Sequence, residues 1–296
     1  MRLPLQVSAV LSAIVLSFCT APVSAFTFTL PTTPTKWELG PNNASKGPFG
    51  TPGSATWSVM GSGLNDVDGM SLPGNDFHIG VTTDFTTLLT AGDELAMINE
   101  AVGLWDSVSG FTNLGMVTDG GGGFGAATSA GGQLGDIRIG AMAIDLPGHL
   151  LGHAFQPGTE ALLGPRGTIF GDIHLDNSEP WIDDPKAPST SSANFKGYDL
   201  FTVLLHEFGH ALGLGHSSDS NLDTCASVMC ASYSGARRAL SADDIAGIQY
   251  LYGPPPDTGA PVPEPGTLTL LGLGLAGLVA GVRLTKRAAN GAPYTH

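Results

Sequence analysis

Positive charge is scarce in this 296-residue chain: 12 Lys and Arg stand against 26 Asp and Glu, a formal net charge of −14. Between residues 26 and 253 the imbalance deepens to 8 basic against 24 acidic side chains. A surface of that sign repels phosphate backbones and anionic headgroups, which excludes nucleic acid and anionic membranes as partners of this region. Cysteine is nearly absent. Of the three, Cys19 falls in the N-terminal apolar stretch, leaving only Cys225 and Cys230. What the chain has in quantity is Gly, 42 residues, and Pro, 21, so loops and turns occupy much of it.

The two ends read as addresses rather than structure. Met1 to Ala25 has Arg2, an apolar stretch from Val10 to Phe18 and small residues at Val23-Ser24-Ala25, the pattern of a secretory signal cut before Phe26. Phe18 precedes Cys19 where lipid attachment needs a small residue, so that thiol leaves with the signal. In an oxidising compartment Cys225 and Cys230 are expected to close a disulfide; two free, buried thiols are the alternative. At the other end Pro254-Pro255-Pro256-Asp257 opens a linker over 254–265 that includes Val262-Pro263-Glu264-Pro265. An apolar run from Gly266 to Val282 and the basic Arg283, Lys286 and Arg287 complete a segment over 266–287. Seventeen apolar residues barely span a bilayer. This tail resembles the PEP-CTERM sorting signal of Gram-negative bacteria, which implies transient inner-membrane anchoring and cleavage near Pro-Glu-Pro by an exosortase. A permanent anchor is the alternative.

Between the ends, Phe26 to Gly53 lacks periodicity and reads as an extended arm. A strand is expected at Ala55 to Met60, while 61–90 is turn-rich, with His78 read as a surface histidine. Glu94 to Val108 carries Leu95, Ile98, Val102 and Trp105 at helical spacing. Asp136 to Gly140 alternates as a strand. Gly171 to Asp176 does the same and places Asp172, His174 and Asp176 on one polar face. A helix from Leu200 to Leu212 has Asp199 as N-cap and Gly213 as terminator. Another, from Ser241 to Leu251, has acids in its first turn. Strands followed by a helix bearing the chemistry and a closing helix make an α+β domain over 54–253.

The chemistry lies in His206-Glu207-Phe208-Gly209-His210-Ala211-Leu212-Gly213-Leu214-Gly215-His216. Residues four apart share a helix face, so His206 and His210 can turn one ring nitrogen each to a single metal. Gly213 lets the chain turn back so that His216 becomes the third ligand. Three neutral nitrogens at about 2.0 to 2.1 Å leave a fourth position for water, the pattern of catalytic zinc. Glu207 is then placed as the general base toward a zinc-activated water.

Ser227-Val228-Met229 resembles the Met-turn of the metzincin peptidases. Glu100-Ala101-Val102-Gly103-Leu104-Trp105, Gly135-Asp136-Ile137-Arg138-Ile139, His153-Ala154-Phe155-Gln156-Pro157-Gly158 and the segment Leu240 to Gly253 are similar to the matrixin branch in particular. The resemblance covers about residues 53 to 253. It implies a twisted, mostly parallel sheet over helices, with a peptide bound along the edge strand above the zinc. It also assigns Met229 to the Met-turn, Tyr233 to the primed-side pocket wall and Asp244 to support of the Met-turn. Ala231 stands where the family has proline, which leaves the pocket depth open. Calcium ligands correspond to Asp145, Asp176 and Glu179, with Asp136 and Asp172 at a second site. His153 and His174 match two ligands of a structural zinc, but Gly140-Ala141-Met142-Ala143 replaces the loop that carries the others. His149 supplying a third ligand and a degraded site with two hydrogen-bonded histidines both remain open. The arm has no cysteine with which to block the zinc.

The expected function is that of an exported zinc endopeptidase with calcium as a structural cofactor. Its expected partners are a protein or peptide substrate, signal peptidase and an exosortase-type enzyme, with no nucleic acid, and the chain is expected to be monomeric. The alternative is a metal-binding surface or matrix module without catalysis, which would have no need of Glu207.

Overall fold

The computed structural model describes residues 34–40, 43–71, 77–90, 92–123, 135–145, 147–158, 170–219 and 225–256, with backbone alone at 67–71, 77 and 78. Residues 1–25, where a signal is expected, the side chain of His78 and the run from Gly266 to Val282 lie outside that description. All elements belong to a compact unit ending at Pro255.

In chain order the elements are β1 (Lys36–Trp37), β2 (Ala44–Ser45), β3 (Gly53–Val59), β4 (Asn65–Ser71), β5 (Phe77–Thr83), α1 (Glu94–Ser107), β6 (Phe111–Met116), β7 (Ile137–Met142), β8 (Gly152–Ala154), β9 (Ile173–Asp176), β10 (Trp181–Ile182), β11 (Tyr198–Asp199), α2 (Leu200–Ala211) and α3 (Ala242–Tyr252). Strands β6, β3, β7 and β9 pair side by side in parallel. Antiparallel β8 lies along β9, while the β4–β5 hairpin joins the end of β7. This is an α+β fold with a mixed sheet.

Its core lies between the sheet and two helices. Ile137, Ile139, Ile173 and Leu175 from the strands join Ile98, Val102 and Trp105 of α1 and Leu204, Leu205 and Phe208 of α2 in one buried cluster. Leu95, placed by its spacing on the apolar stripe of α1, is instead 38 % exposed, and Met97 is buried in that helix turn. The stripe is centred on Ile98, Ala101 and Trp105, which turns Leu95 outward. The indole N–H of Trp105 donates to the carbonyl of Leu205 at 3.0 Å, fixing α1 against α2.

The residues before β3 are not extended throughout. Lys36 and Trp37 pair antiparallel with Ala44 and Ser45, and Trp37 is 2 % exposed. Its indole N–H donates to the carbonyl of Ala211 at 2.9 Å, and the Tyr252 hydroxyl donates to that of Leu212 at 2.9 Å. Both carbonyls belong to the open end of α2, where no intrahelical donor remains. The arm therefore caps the helix from beneath, and burial of a tryptophan drives it there.

The turn-rich stretch 61–90 contains β4 and β5, whose pairing partners lie in each other and in β7. Strand β9 is buried on both faces, so Asp172, His174 and Asp176 share an interior polar face.

Candidate metal centre and substrate cleft

Asp199 starts α2 by accepting from the Thr202 amide at 3.1 Å, and Gly213 ends it with φ 107°. A Cβ at Gly213 would lie 2.2 Å from the Thr35 carbonyl, so the tight turn admits no larger residue. That turn brings His216 back to the helix. Ring centroids are 4.7 Å apart for His206 and His210, 4.8 Å for His210 and His216, and 5.4 Å for His206 and His216. One ligating nitrogen from each lies within 4.8 Å of the others, a separation that one ion can bridge.

Two of the rings have their outer nitrogen engaged. His206 Nδ1 meets the Val228 carbonyl at 2.8 Å, and His210 Nδ1 meets the Leu214 carbonyl at 2.8 Å. A carbonyl only accepts, so each Nδ1 carries the proton and each Nε2 presents its lone pair to the centre. Burial disfavours the charged form of all three histidines. His206 is pushed down to about 4, partly offset by the Val228 carbonyl, and His210 and His216 are also lowered. Neutral imidazoles in this arrangement are competent metal ligands.

Glu207 is buried, and its Oε2 has no hydrogen-bond partner among the described residues. Burial pushes its carboxyl up to about 8. A dication at the three rings would act in the opposite sense, favouring the carboxylate. His206, Glu207, His210 and His216 line a cleft of about 490 Å³ together with Leu151, Gly152 and His153 of the β8 edge.

Beneath the rings, Asp244 organises the segment 227–229. It accepts from the Ser227 hydroxyl, from the Val228 amide at 2.9 Å and from the Met229 amide at 3.3 Å. The same carboxylate completes a capping box at the start of α3 with Ser241. Because Val228 holds His206 Nδ1 with its carbonyl and Asp244 with its amide, one residue links the acid to the ligand. Met229 then lies against Gly209, between the two helical histidines.

Residues 82–253 match the matrixin family, and residues 261–287 match the PEP-CTERM protein-sorting motif. The chain belongs to the matrixin family. It is 41 % identical over 119 residues to interstitial collagenase of Bos taurus, covering 40 % of this chain and 20 % of that protein. Against human matrix metalloproteinase-25 it is 42 % identical over 116 residues, 38 % of this chain and 17 % of that protein. With interstitial collagenase of Sus scrofa the identity is 35 % over 214 residues, 69 % of this chain and 40 % of the relative. The chain thus spans two-fifths or less of the length of these relatives. Matrixins are zinc-dependent, and the three-histidine centre has the donor set that zinc takes. The PEP-CTERM motif indicates export sorting. No helix among the described residues is long and apolar enough to cross a membrane.

The other matrixin features fall unevenly on this chain. Asp145, Asp176 and Glu179 converge with ligating oxygens within 4.8 Å of one another. Glu179 Oε1 accepts from the Gly148 amide at 2.6 Å, while its buried Oε2 has no hydrogen-bond donor among the described residues. Burial, followed by repulsion from Asp176 and Asp145, raises the Glu179 carboxyl despite the Gly148 bond. All-oxygen ligands with an unmet buried negative charge fit calcium. Asp136 and Asp172 do not share a centre of that kind. Asp136 accepts from the Thr56 amide and hydroxyl at 2.8 and 2.7 Å, whereas Asp172 lies 3.7 Å from the buried Arg138 guanidinium.

His153 and His174 face each other across the β8–β9 register, with His153 Nε2 and His174 Nδ1 at 3.3 Å. One ring donates to the other, so these two nitrogens are occupied by each other. Asp66, from the hairpin that sequence patterning passed over, approaches His174 and Asp172. His149 lines the cleft instead of completing this pair.

The loop after Met229 forms the far wall of the cleft. The Tyr233 hydroxyl accepts from the Asp199 amide at 3.1 Å, tying the loop to the start of α2. Arg238 pairs with Asp199 and with Asp183. Ala231 lines the cleft from an exposed position. Cys225 and Cys230 are joined in a disulfide at the base of this loop. Arg237 also lines the cleft and carries no sequence signal, since its neighbour Arg238 is the same residue with a different role.

Proposed function

We propose that this chain is a zinc-dependent endopeptidase in which His206, His210 and His216 hold the ion and Glu207 is the general base. The observation that carries the reading is the pairing of a buried carboxylate, whose Oε2 has no hydrogen-bond donor among the described residues, with three convergent imidazoles that line one cleft. When bound, zinc supplies Lewis acidity toward a carbonyl oxygen and toward water.

The chain's own residues account for the rest. The edge of β8 offers backbone to an extended peptide, which would add as a further strand. The pocket walled by Tyr233 and Val203 seats one substrate side chain and so fixes the scissile bond beside His206. Glu207 takes the proton from water and returns it to the leaving amine, roles that need a carboxylate able to hold a proton near neutral pH. Asp244 keeps His206 in its tautomer through Val228. Asp145, Asp176 and Glu179 are the proposed calcium ligands, bracing the loop that leads into β8.

Export by the N-terminal signal and processing near Pro265 by an exosortase-type enzyme complete the proposal. The matched sorting motif supports them. Mass spectrometry of the mature protein should find an end near Pro265; an intact apolar tail would refute processing. The enzymatic reading is tested by incubating the full chain with a peptide library. Cleavage should vanish with a chelator and return with zinc, and a zinc-loaded chain that cuts no peptide would sink it.

A further inference from the structure

Two adjacent arginines on the cleft wall have opposite electrostatic surroundings. Arg238 is neutralised by Asp199 and Asp183. Arg237 has no carboxylate within ion-pair distance among the described residues. Its guanidinium Nη2 donates to the Cys225 carbonyl at 2.6 Å and to the Ser234 hydroxyl, both neutral acceptors. Its backbone amide donates to Thr202 Oγ1 at 2.8 Å, one helical turn before His206. The side chain is half-buried and lines the same cleft as His206 and Tyr233.

A guanidinium in that position has lost part of its hydration without gaining a counter-ion. Burial lowers its affinity for the proton, with Asp244 and Tyr233 acting only partly against this. Its charge also reaches His206, where it disfavours protonation. Val203, Val228 and Ala231 line the same cleft, and half-burial of the guanidinium weakens the screening of its charge. An apolar substrate side chain would fill the space but leave the cation unmatched. A carboxylate would meet Nε or Nη1, neither of which donates to anything else among the described residues, in a single charge-assisted hydrogen bond, because the Nη2 shared by both bidentate edges is already engaged.

We infer that the pocket beside His206 receives an acidic substrate side chain, that of the residue following the scissile bond, and that Arg237 is the residue that selects it. The inference rests on the proteolytic reading for its substrate. The disulfide contributes by closing the loop that carries the Cys225 carbonyl, so the guanidinium is oriented before substrate arrives.

The test uses the zinc-loaded full chain and three peptides that differ only after the scissile bond, with Glu, Gln or Leu. Cleavage of the Glu peptide should exceed that of the Gln peptide in kcat/KM by about ten- to hundredfold, the worth of one hydrogen bond to a charged group. Arg237→Gln should abolish the preference, and Arg237→Lys should keep part of it. Fluorescence anisotropy with the Glu207→Gln full chain measures binding of the same peptides without turnover. Arg237-dependent binding of the Glu peptide without cleavage by the wild-type chain would uphold the acidic pocket and overturn proteolysis. Cleavage with equal or greater activity toward Leu, or a Glu preference that survives Arg237→Gln, would overturn the acidic pocket alone. Equal binding of all three peptides with no cleavage would overturn both.

Discussion

Met229 occupies the space that a side chain on Gly209 would need: a Cβ built there would lie 2.3 Å from the methionine sulfur. Gly209 sits between the two helical histidines, so this contact sets how deeply α2 rests on the turn below it. Gly209→Ala should force the two apart at an overpacking cost of about 1 to 3 kcal/mol. Thermal unfolding should show the loss, and zinc retained after dialysis should fall with it. An alanine variant with unchanged unfolding and zinc content would show that the contact is not tight.

Asp244 acts on the same turn from the other side. Asp244→Asn replaces one acceptor oxygen with a donor opposite the amides of Val228 and Ser241. Released Val228 no longer fixes His206 Nδ1. Zinc affinity should weaken by about 10- to 100-fold, as for other residues that orient metal-ligating histidines. Competition with a chromophoric chelator measures this, and an unchanged constant would remove Asp244 from the support of the site.

These relationships differ in how far the sequence foretells them. The histidine string, the Asp199 cap and the Ser241 start are local: helix geometry and capping chemistry within a few residues decide them. The β4–β5 hairpin escapes because its strands are defined by partners in each other and in β7. Trp37 reads as part of a featureless arm, since what buries it includes Tyr252, 215 residues later. Asp172, His174 and Asp176 do share a strand face, but period alone does not say that the face points inward. Arg237 and Arg238 are identical in sequence, and only their tertiary neighbours tell the paired cation from the one facing the cleft.

The acidic trio Asp145, Asp176 and Glu179 should make stability depend on calcium. At a concentration a hundred times the dissociation constant, binding contributes about 2.7 kcal/mol. Glu179→Gln keeps an acceptor for the Gly148 amide while removing the charge, so it should shrink the calcium-induced rise in Tm without unfolding the chain. Equal rises in wild type and variant would place calcium elsewhere.

Glu207 should also leave a pH signature when the metal is removed. Its folded carboxyl is raised from 4.5 to about 8 by burial, so the folded chain holds a proton that the unfolded chain releases over that interval. The metal-free wild type should lose stability relative to Glu207→Gln as pH rises from 4.5 through about 8. Urea midpoints of both proteins across this range measure the difference. A difference independent of pH would mean that Glu207 is not desolvated.

The central claim is that three histidines hold one zinc and Glu207 does the proton transfer without holding it. Metal content and peptide cleavage measured together on the Glu207→Gln full chain test this most directly. One zinc per three-histidine centre should remain bound as in wild type, while kcat falls by about 10²- to 10⁴-fold, the typical contribution of a general base. Zinc lost with Glu207, or cleavage undiminished without it, would contradict the account.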